Sequence, residues 1–204
     1  MKTFLDICCE ECWHNNENPC EHFVRCCIEG PLCHHNSECD AKFKELNRQL
    51  TYAEHDVPII FIGMGTCGLA SGAGKVEEAI KAELEKLNIK AQIERIGCIG
   101  YCAVEPIVEI KHPGQDRVVY SEITPKIVSK FVQKTIVEKG IYKEKLLGSH
   151  GATNGEVVNI NETPFFRRQK KVVLQNCGII NPQSIDAYIA SGGFKALDKV
   201  LRLM

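Results

Sequence analysis

The chain has 204 residues, twelve of them cysteine, with 25 basic and 26 acidic side chains and a formal net charge of −1. A chain of this length buries one ordinary core with appendages, its charge balance gives nucleic acid no bulk attraction, and no apolar run reaches the length of a transmembrane helix. Met1 to Trp13 lacks the basic start and apolar centre of a secretory signal, so a soluble, cytoplasmic protein is expected, in which many thiols signal metal or redox chemistry rather than disulfides.

Residues 1–40 differ in composition from everything after them. Eight cysteines lie there, Cys8, Cys9, Cys12, Cys20, Cys26, Cys27, Cys33 and Cys39, with His14, His22, His34 and His35 among them. Acidic residues far outnumber Lys2 and Arg25, and ionised thiols would add to that charge, so a bound cation is needed to keep so small a segment compact. Thiolate with imidazole suits zinc, as does the short spacing Cys9-Glu10-Glu11-Cys12. Eight cysteines also suffice for an iron–sulfur cluster, although mixed Cys/His ligation is commoner for zinc. The alternative is a thiol-rich tail with no fold of its own.

Residues 41–56 read as a short polar helix or linker, with Phe43, Leu46 and Leu50 at helical spacing. Ile59-Ile60-Phe61-Ile62 is then a buried strand, followed by a glycine-rich turn holding Cys67. Val76, Ala79, Ile80, Leu84 and Leu87 predict a helix over Gly74–Leu87 that packs one face on that strand. A second strand near Ala91–Ile96 leads into Gly97-Cys98-Ile99-Gly100-Tyr101-Cys102, whose two thiols can converge on one centre. Ile107–Lys111 and Arg117–Tyr120 flank the turn His112-Pro113-Gly114-Gln115 as a hairpin. Thr124-Pro125 opens a helix that runs to Lys139, stopped by Gly140. The order strand, helix, strand, hairpin, helix is that of a thioredoxin-like α/β fold.

Ile141–Ile160 carries Gly148-Ser149-His150-Gly151 and Asn154-Gly155 and reads as an exposed crossing loop. Thr163-Pro164 begins a further predicted helix ending at Asn176-Cys177-Gly178, with Arg167, Arg168, Lys170 and Lys171 making its outer face basic. Ser184 caps a helix carrying Ile185, Tyr188 and Ile189, and Phe194, Leu197, Val200 and Leu201 mark a last one.

Gly65-Thr66-Cys67-Gly68 with Ala70-Ser71-Gly72-Ala73, then Gly97 to Cys102 and Glu105-Pro106, resemble the thioredoxin-like [2Fe-2S] ferredoxin domain at the N-terminus of flavoprotein subunits of NADH dehydrogenases and electron-bifurcating hydrogenases. Pro164 to Leu201 resembles the segment leading into the flavin domain of those subunits. Composition sets off a Cys/His-rich metal segment at 1–40 and a linker at 41–56; the resemblance, which covers about three quarters of the chain, implies a thioredoxin-like ferredoxin domain at 57–140 and a loop with helices at 141–204 leading toward a flavin and NADH domain. It implies a [2Fe-2S] cluster on Cys67, Cys98 and Cys102, beside the zinc or second cluster that composition alone suggests for the N-terminal segment. FMN and NAD belong on this reading only to a longer parent chain, so NADH oxidation by this stretch alone is not expected. Partners would be other subunits of an oxidoreductase complex. The family carries a cysteine pair before the helix, and here Gly63 stands where its first member is expected. That leaves Ser71 or a distant cysteine as candidates for the fourth ligand.

Other readings compete. Gly63-Met64-Gly65-Thr66-Cys67-Gly68 matches the dinucleotide fingerprint, with Glu94 as its acidic partner, but that motif has no use for three thiols. A phosphate loop fails at Leu69 and Val76, where it needs glycine and a hydroxyl. A thiol oxidoreductase lacks its Cys-x-x-Cys at a helix start. The alternative function is a cluster-free structural adaptor with a zinc-binding N-terminus that docks a partner subunit.

Overall fold

The structure is a computed structural model describing residues 26, 37–153 and 155–203, the side chains of 37–40 and 202 aside. It divides into two compact units, one spanning His55–Asn181 and the other drawn from Met1–Glu54 and Pro182–Met204. The helices are α1 (Ser37–Leu50), α2 (Thr66–Ala70), α3 (Ala73–Lys86), α4 (Val128–Val132), α5 (Ile185–Ala190) and α6 (Lys195–Leu203). The strands are β1 (Ile59–Gly63), β2 (Gln92–Ile96), β3 (Val108–Lys111), β4 (Val118–Tyr120) and β5 (Leu146–Ser149).

The larger unit is built on one sheet, in the order β2-β1-β3-β4-β5. β1 runs parallel to β2 and antiparallel to β3, which is the thioredoxin-like arrangement expected from the sequence. Every residue of β1 is buried, because it has a strand on each side and cover on both faces; this is why it reads as an unbroken apolar run. Alternate residues serve opposite faces. Ile60, Ile62, Val108, Ile110 and Tyr120 pack with Val76, Ile80 and Leu84 of α3 and with Phe131 and Val132 of α4. Tyr120, Phe131 and Tyr142 meet edge to face, with centroids 5.1 and 5.8 Å apart. Val119, on the other face, belongs to a second cluster with Ile99, Ile107, Ile160 and Phe166.

Three elements differ from their sequence reading. The helix predicted over Pro125–Lys139 is segmented into a 3-10 turn at Pro125–Ile127, then α4, then a π turn at Gln133–Val137. The stretch read as an exposed crossing loop contains β5, which pairs with β4 through Val118↔Ser149 and Val119↔Gly148. Leu146 pairs with Tyr120 there, the register skips Leu147, and both leucines half-bury themselves on the hairpin edge, a pull the surrounding turn residues hide. The helix expected from Thr163 to Asn176 is a succession of turns. Adjacent Phe165 and Phe166 both pack against Tyr101, one stacked and one edge-on, and side-chain packing there outweighs the cap signal.

In the smaller unit Phe43, Leu46 and Leu50 of α1 bury themselves with Ile189 of α5, and Cys26, Ala190 and Phe194 pack beside them. The first part of the presumed linker is therefore helical. Ser184 caps α5 as expected, its hydroxyl accepting from the Ala187 amide at 3.1 Å. Among the described residues no helix is long and apolar enough to cross a membrane.

One charged group sits in the middle of the larger unit. Glu109 of β3 is fully buried and pairs with Arg117, itself 8% exposed, and with His150 Nε2 at 3.0 Å. Arg117 lies over the Phe61 ring at 3.5 Å and donates to the carbonyls of Gly178 and Ile179 at 2.7 and 3.2 Å. Burial opposes ionisation of Glu109, but Arg117 and His150 outweigh it and hold the carboxyl below its ordinary range. A depressed folded-state pKa adds stability above the unfolded value, about 4.3, that is lost as pH falls through the folded value. Arg117→Ala should therefore cost roughly 3–5 kcal/mol at neutral pH by stranding a buried carboxylate. Urea unfolding should show the gap to wild type narrowing once acid protonates Glu109; a gap independent of pH would refute this account.

Candidate metal centre

The site forms where three chain segments end at one edge of the sheet. Parallel pairing in the register Gly63↔Ile96 makes β1 and β2 finish together, so the loops that follow them are neighbours. The start of β3 closes the same edge, with the Gly63 amide donating to the Ile107 carbonyl at 3.0 Å. Cys67 lies on the short helix α2 rather than in an open loop, Cys98 follows β2, and Cys102 begins a 3-10 turn over Cys102–Val104. Helix α2 sits so close to the end of β1 that a Cβ on Gly68 would lie 2.1 Å from the Gly63 carbonyl oxygen. Only glycine permits that approach.

The sulfurs of Cys67, Cys98 and Cys102 all lie within 4.8 Å of one another. Cys98 and Cys102 are 3.6 Å apart, close to the separation of about 3.8 Å that two thiolates adopt on one tetrahedral metal with 2.3 Å bonds. The Gly100 amide donates to the Cys98 sulfur at 3.2 Å. Burial, and then the neighbouring thiols of Cys98 and Cys102, push the Cys67 thiol up to about 12. Burial likewise raises Cys98. Crowded thiols with no positive side chain among them hold their protons until a cation replaces them.

Residues 160–179 brace the Cys98 loop from the side. Ile99 is buried against Ile160 and Phe166, Lys171 donates to the Ile99 carbonyl at 2.8 Å, and Tyr101 stacks on Phe165 with centroids 3.8 Å apart. Gly178, at φ +78°, passes so near that a Cβ would lie 2.2 Å from Ile99 Cγ2. A cavity of about 410 Å³ opens beside the loop, lined by Ile99, His150, Phe166, Lys170, Lys171 and Cys177 among others.

Sequence reasoning noted Glu105 only within the Glu105-Pro106 motif and gave it no role. It is 8% exposed and stands at the centre of the site, with Oε1 3.7 Å from the Cys67 sulfur and Oε2 accepting from the Ile107 amide at 2.7 Å. Burial raises its pKa above the ordinary carboxyl range, against the opposing pull of its hydrogen bonds. The available signal was an acid three residues after Cys102, just ahead of Pro106 and a buried strand. Ser71 is exposed at the end of α2. Of the N-terminal cysteines, Cys26 is helical and half-buried beside the Phe43 cluster, and Cys39 lies on α1. Cys8, Cys9, Cys12, Cys20, Cys27 and Cys33 lie outside the described residues.

No family model matches the chain. The NADP-reducing hydrogenase subunit HndB of Solidesulfovibrio fructosivorans is 31% identical over 94 residues, which are 44% of this chain and 75% of that subunit. The chain belongs to the HndB family. Two solved structures of thioredoxin-like [2Fe-2S] ferredoxin from Aquifex aeolicus are each 17% identical to this HndB-family chain. They cover 48% and 46% of it and 96% and 99% of themselves, with TM-scores of 0.41 and 0.40.

The arrangement predicts a reactivity order. After chelation under reducing conditions, iodoacetamide at mildly alkaline pH should label exposed Cys102 before Cys67, because a thiol with so high a pKa is almost wholly protonated there. Peptide mass mapping should show Cys67 lagging by at least about tenfold. Equal rates would show that the three sulfurs do not share one pocket.

Proposed function

We propose that the chain is an electron-transfer subunit of a hydrogenase or NADH-linked oxidoreductase complex, holding a [2Fe-2S] cluster on Cys67, Cys98 and Cys102. The observation that supports it most is the convergence of those three sulfurs, in a chain of the HndB family. Three of the four donors fit: such a cluster takes four protein ligands, two per iron. Cys98 and Cys102 suit one iron, and Cys67 suits the other. A cluster bound there would supply one-electron oxidation and reduction. The chain's own residues set its surroundings. The Gly100 amide favours thiolate at Cys98, and the Lys171 and Phe165 contacts keep the Cys98 loop from swinging away.

On this reading the partners are other subunits of the complex, in a reducing, cytoplasmic compartment, and flavin and nicotinamide chemistry belongs to them or to a longer parent chain. A subset of the cysteines from Cys8 to Cys39, at least four of them, holds zinc or a second cluster. The lack of a thiol at Gly63 favours the second reading, an adaptor that docks a partner without iron.

Anaerobically purified protein separates the two. The first predicts visible charge-transfer absorbance, with iron and acid-labile sulfide in equal amounts, and loss of that signal in Cys98→Ser with retained far-ultraviolet dichroism. Zinc without sulfide, and no change in Cys98→Ser, would leave the adaptor.

A further inference from the structure

The three thiols leave one coordination position on the Cys67 side, and a buried carboxylate already faces it. We propose that Glu105 supplies the fourth protein ligand, through Oε1, in the place of the absent cysteine at position 63. The inference rests on the iron–sulfur reading above and adds to it which residue completes the site.

Three observations carry it. A Cβ built on Gly63 would lie 3.1 and 3.3 Å from the two Glu105 carboxylate oxygens, so the carboxylate fills the space a thiol at position 63 would enter. Its two oxygens are already divided in role. Oε2 is fixed by the Ile107 amide at 2.7 Å, and Oε1 is turned to the Cys67 sulfur at 3.7 Å. Its hydrogen-bond partners are that amide and the Cys67 thiol, and neither is cationic. A carboxylate 92% buried without a cation is costly, and a metal at the thiol cluster offsets that cost. The charge balances as well. Metal binding releases the three thiol protons to solvent, and three thiolates with one carboxylate carry the same formal charge as four thiolates. Ser71 offers neither a charge nor a buried approach.

The test uses the full chain, purified anaerobically, with Mössbauer spectra, absorbance and the rate of iron loss to a chelator as readouts. Wild type should show two inequivalent iron sites, one with all-sulfur and one with mixed sulfur and oxygen ligation. Glu105→Gln keeps an acceptor for the Ile107 amide but is a poor ligand, and it should lose iron at least about tenfold faster. Gly63→Cys should abolish the mixed-ligand site. In that background Glu105→Gln should change neither spectrum nor rate, a pattern that a purely structural role for Glu105 would not produce. Glu105→Cys should likewise give an all-sulfur spectrum and guards against misfolding of the Gly63 variant. An iron-loaded wild type whose spectrum and iron loss are unmoved by Glu105→Gln overturns the ligand assignment and leaves the iron–sulfur reading standing. A wild type without iron and sulfide overturns both.

Discussion

The parallel pairing of β1 with β2, in the register Gly63↔Ile96, is the constraint on which the rest of the site depends. Parallel strands that end at the same level deliver their following loops to one edge of a sheet. A slip of one residue would also exchange the two faces of β1, taking Ile60 and Ile62 out of their cluster with α3. β1 cannot slip, because all five of its residues are buried between β2 and β3. The positions of Cys67 and Cys98 are thus set by the burial of Ile59 to Ile62, residues with no chemistry of their own. Gly68 completes the geometry by letting α2 start almost on top of the last peptide of β1.

The opposite face of the sheet contributes through a different force. A buried ion pair is weak evidence for stability, since desolvating both charges consumes most of the Coulomb gain. Its role here is positional. Arg117 is anchored by Glu109 and by the Phe61 ring, and its two terminal nitrogens hold the carbonyls of Gly178 and Ile179. The chain from Ile160 to Ile179 is thereby tied to the sheet, and it presents Phe166, Phe165 and Lys171 to the Cys98 loop. Two of the three thiols are carried on a loop whose position depends on contacts that span 61 and 72 residues of sequence.

That distance explains what was legible in the sequence. β1, α3, β2 and the β3–β4 hairpin follow local rules, and the apolar spacing of Val76, Ile80 and Leu84 placed α3 to within a residue or two. The cysteines announced themselves by residue type. β5 and the turns after Thr163 did not follow local rules: Gly148-Ser149 and Thr163-Pro164 carry loop and cap signals, and tertiary pairing with β4 and with Tyr101 overrode both. Glu109 and Arg117 looked like ordinary polar positions on a hairpin. Nothing within a few residues of either says that they face each other indoors.

Glu105 belongs to the same class of hidden residue, and its chemistry differs from that of the cysteine it would replace. A carboxylate oxygen is a harder donor than a thiolate sulfur and favours the more highly charged metal state. With the formal charge of the ligand set unchanged, Glu105 would hold the Cys67 side through a harder donor than Cys98 and Cys102 give theirs, and a cluster bound there would supply one-electron chemistry between unlike halves. Cys102 is the most exposed of the three cysteines. Glu105 is buried where Cys102 is open, so the residues that would hold the cluster differ in access as well as in donor atom, the accessible side adjoining the stacked rings of Tyr101 and Phe165.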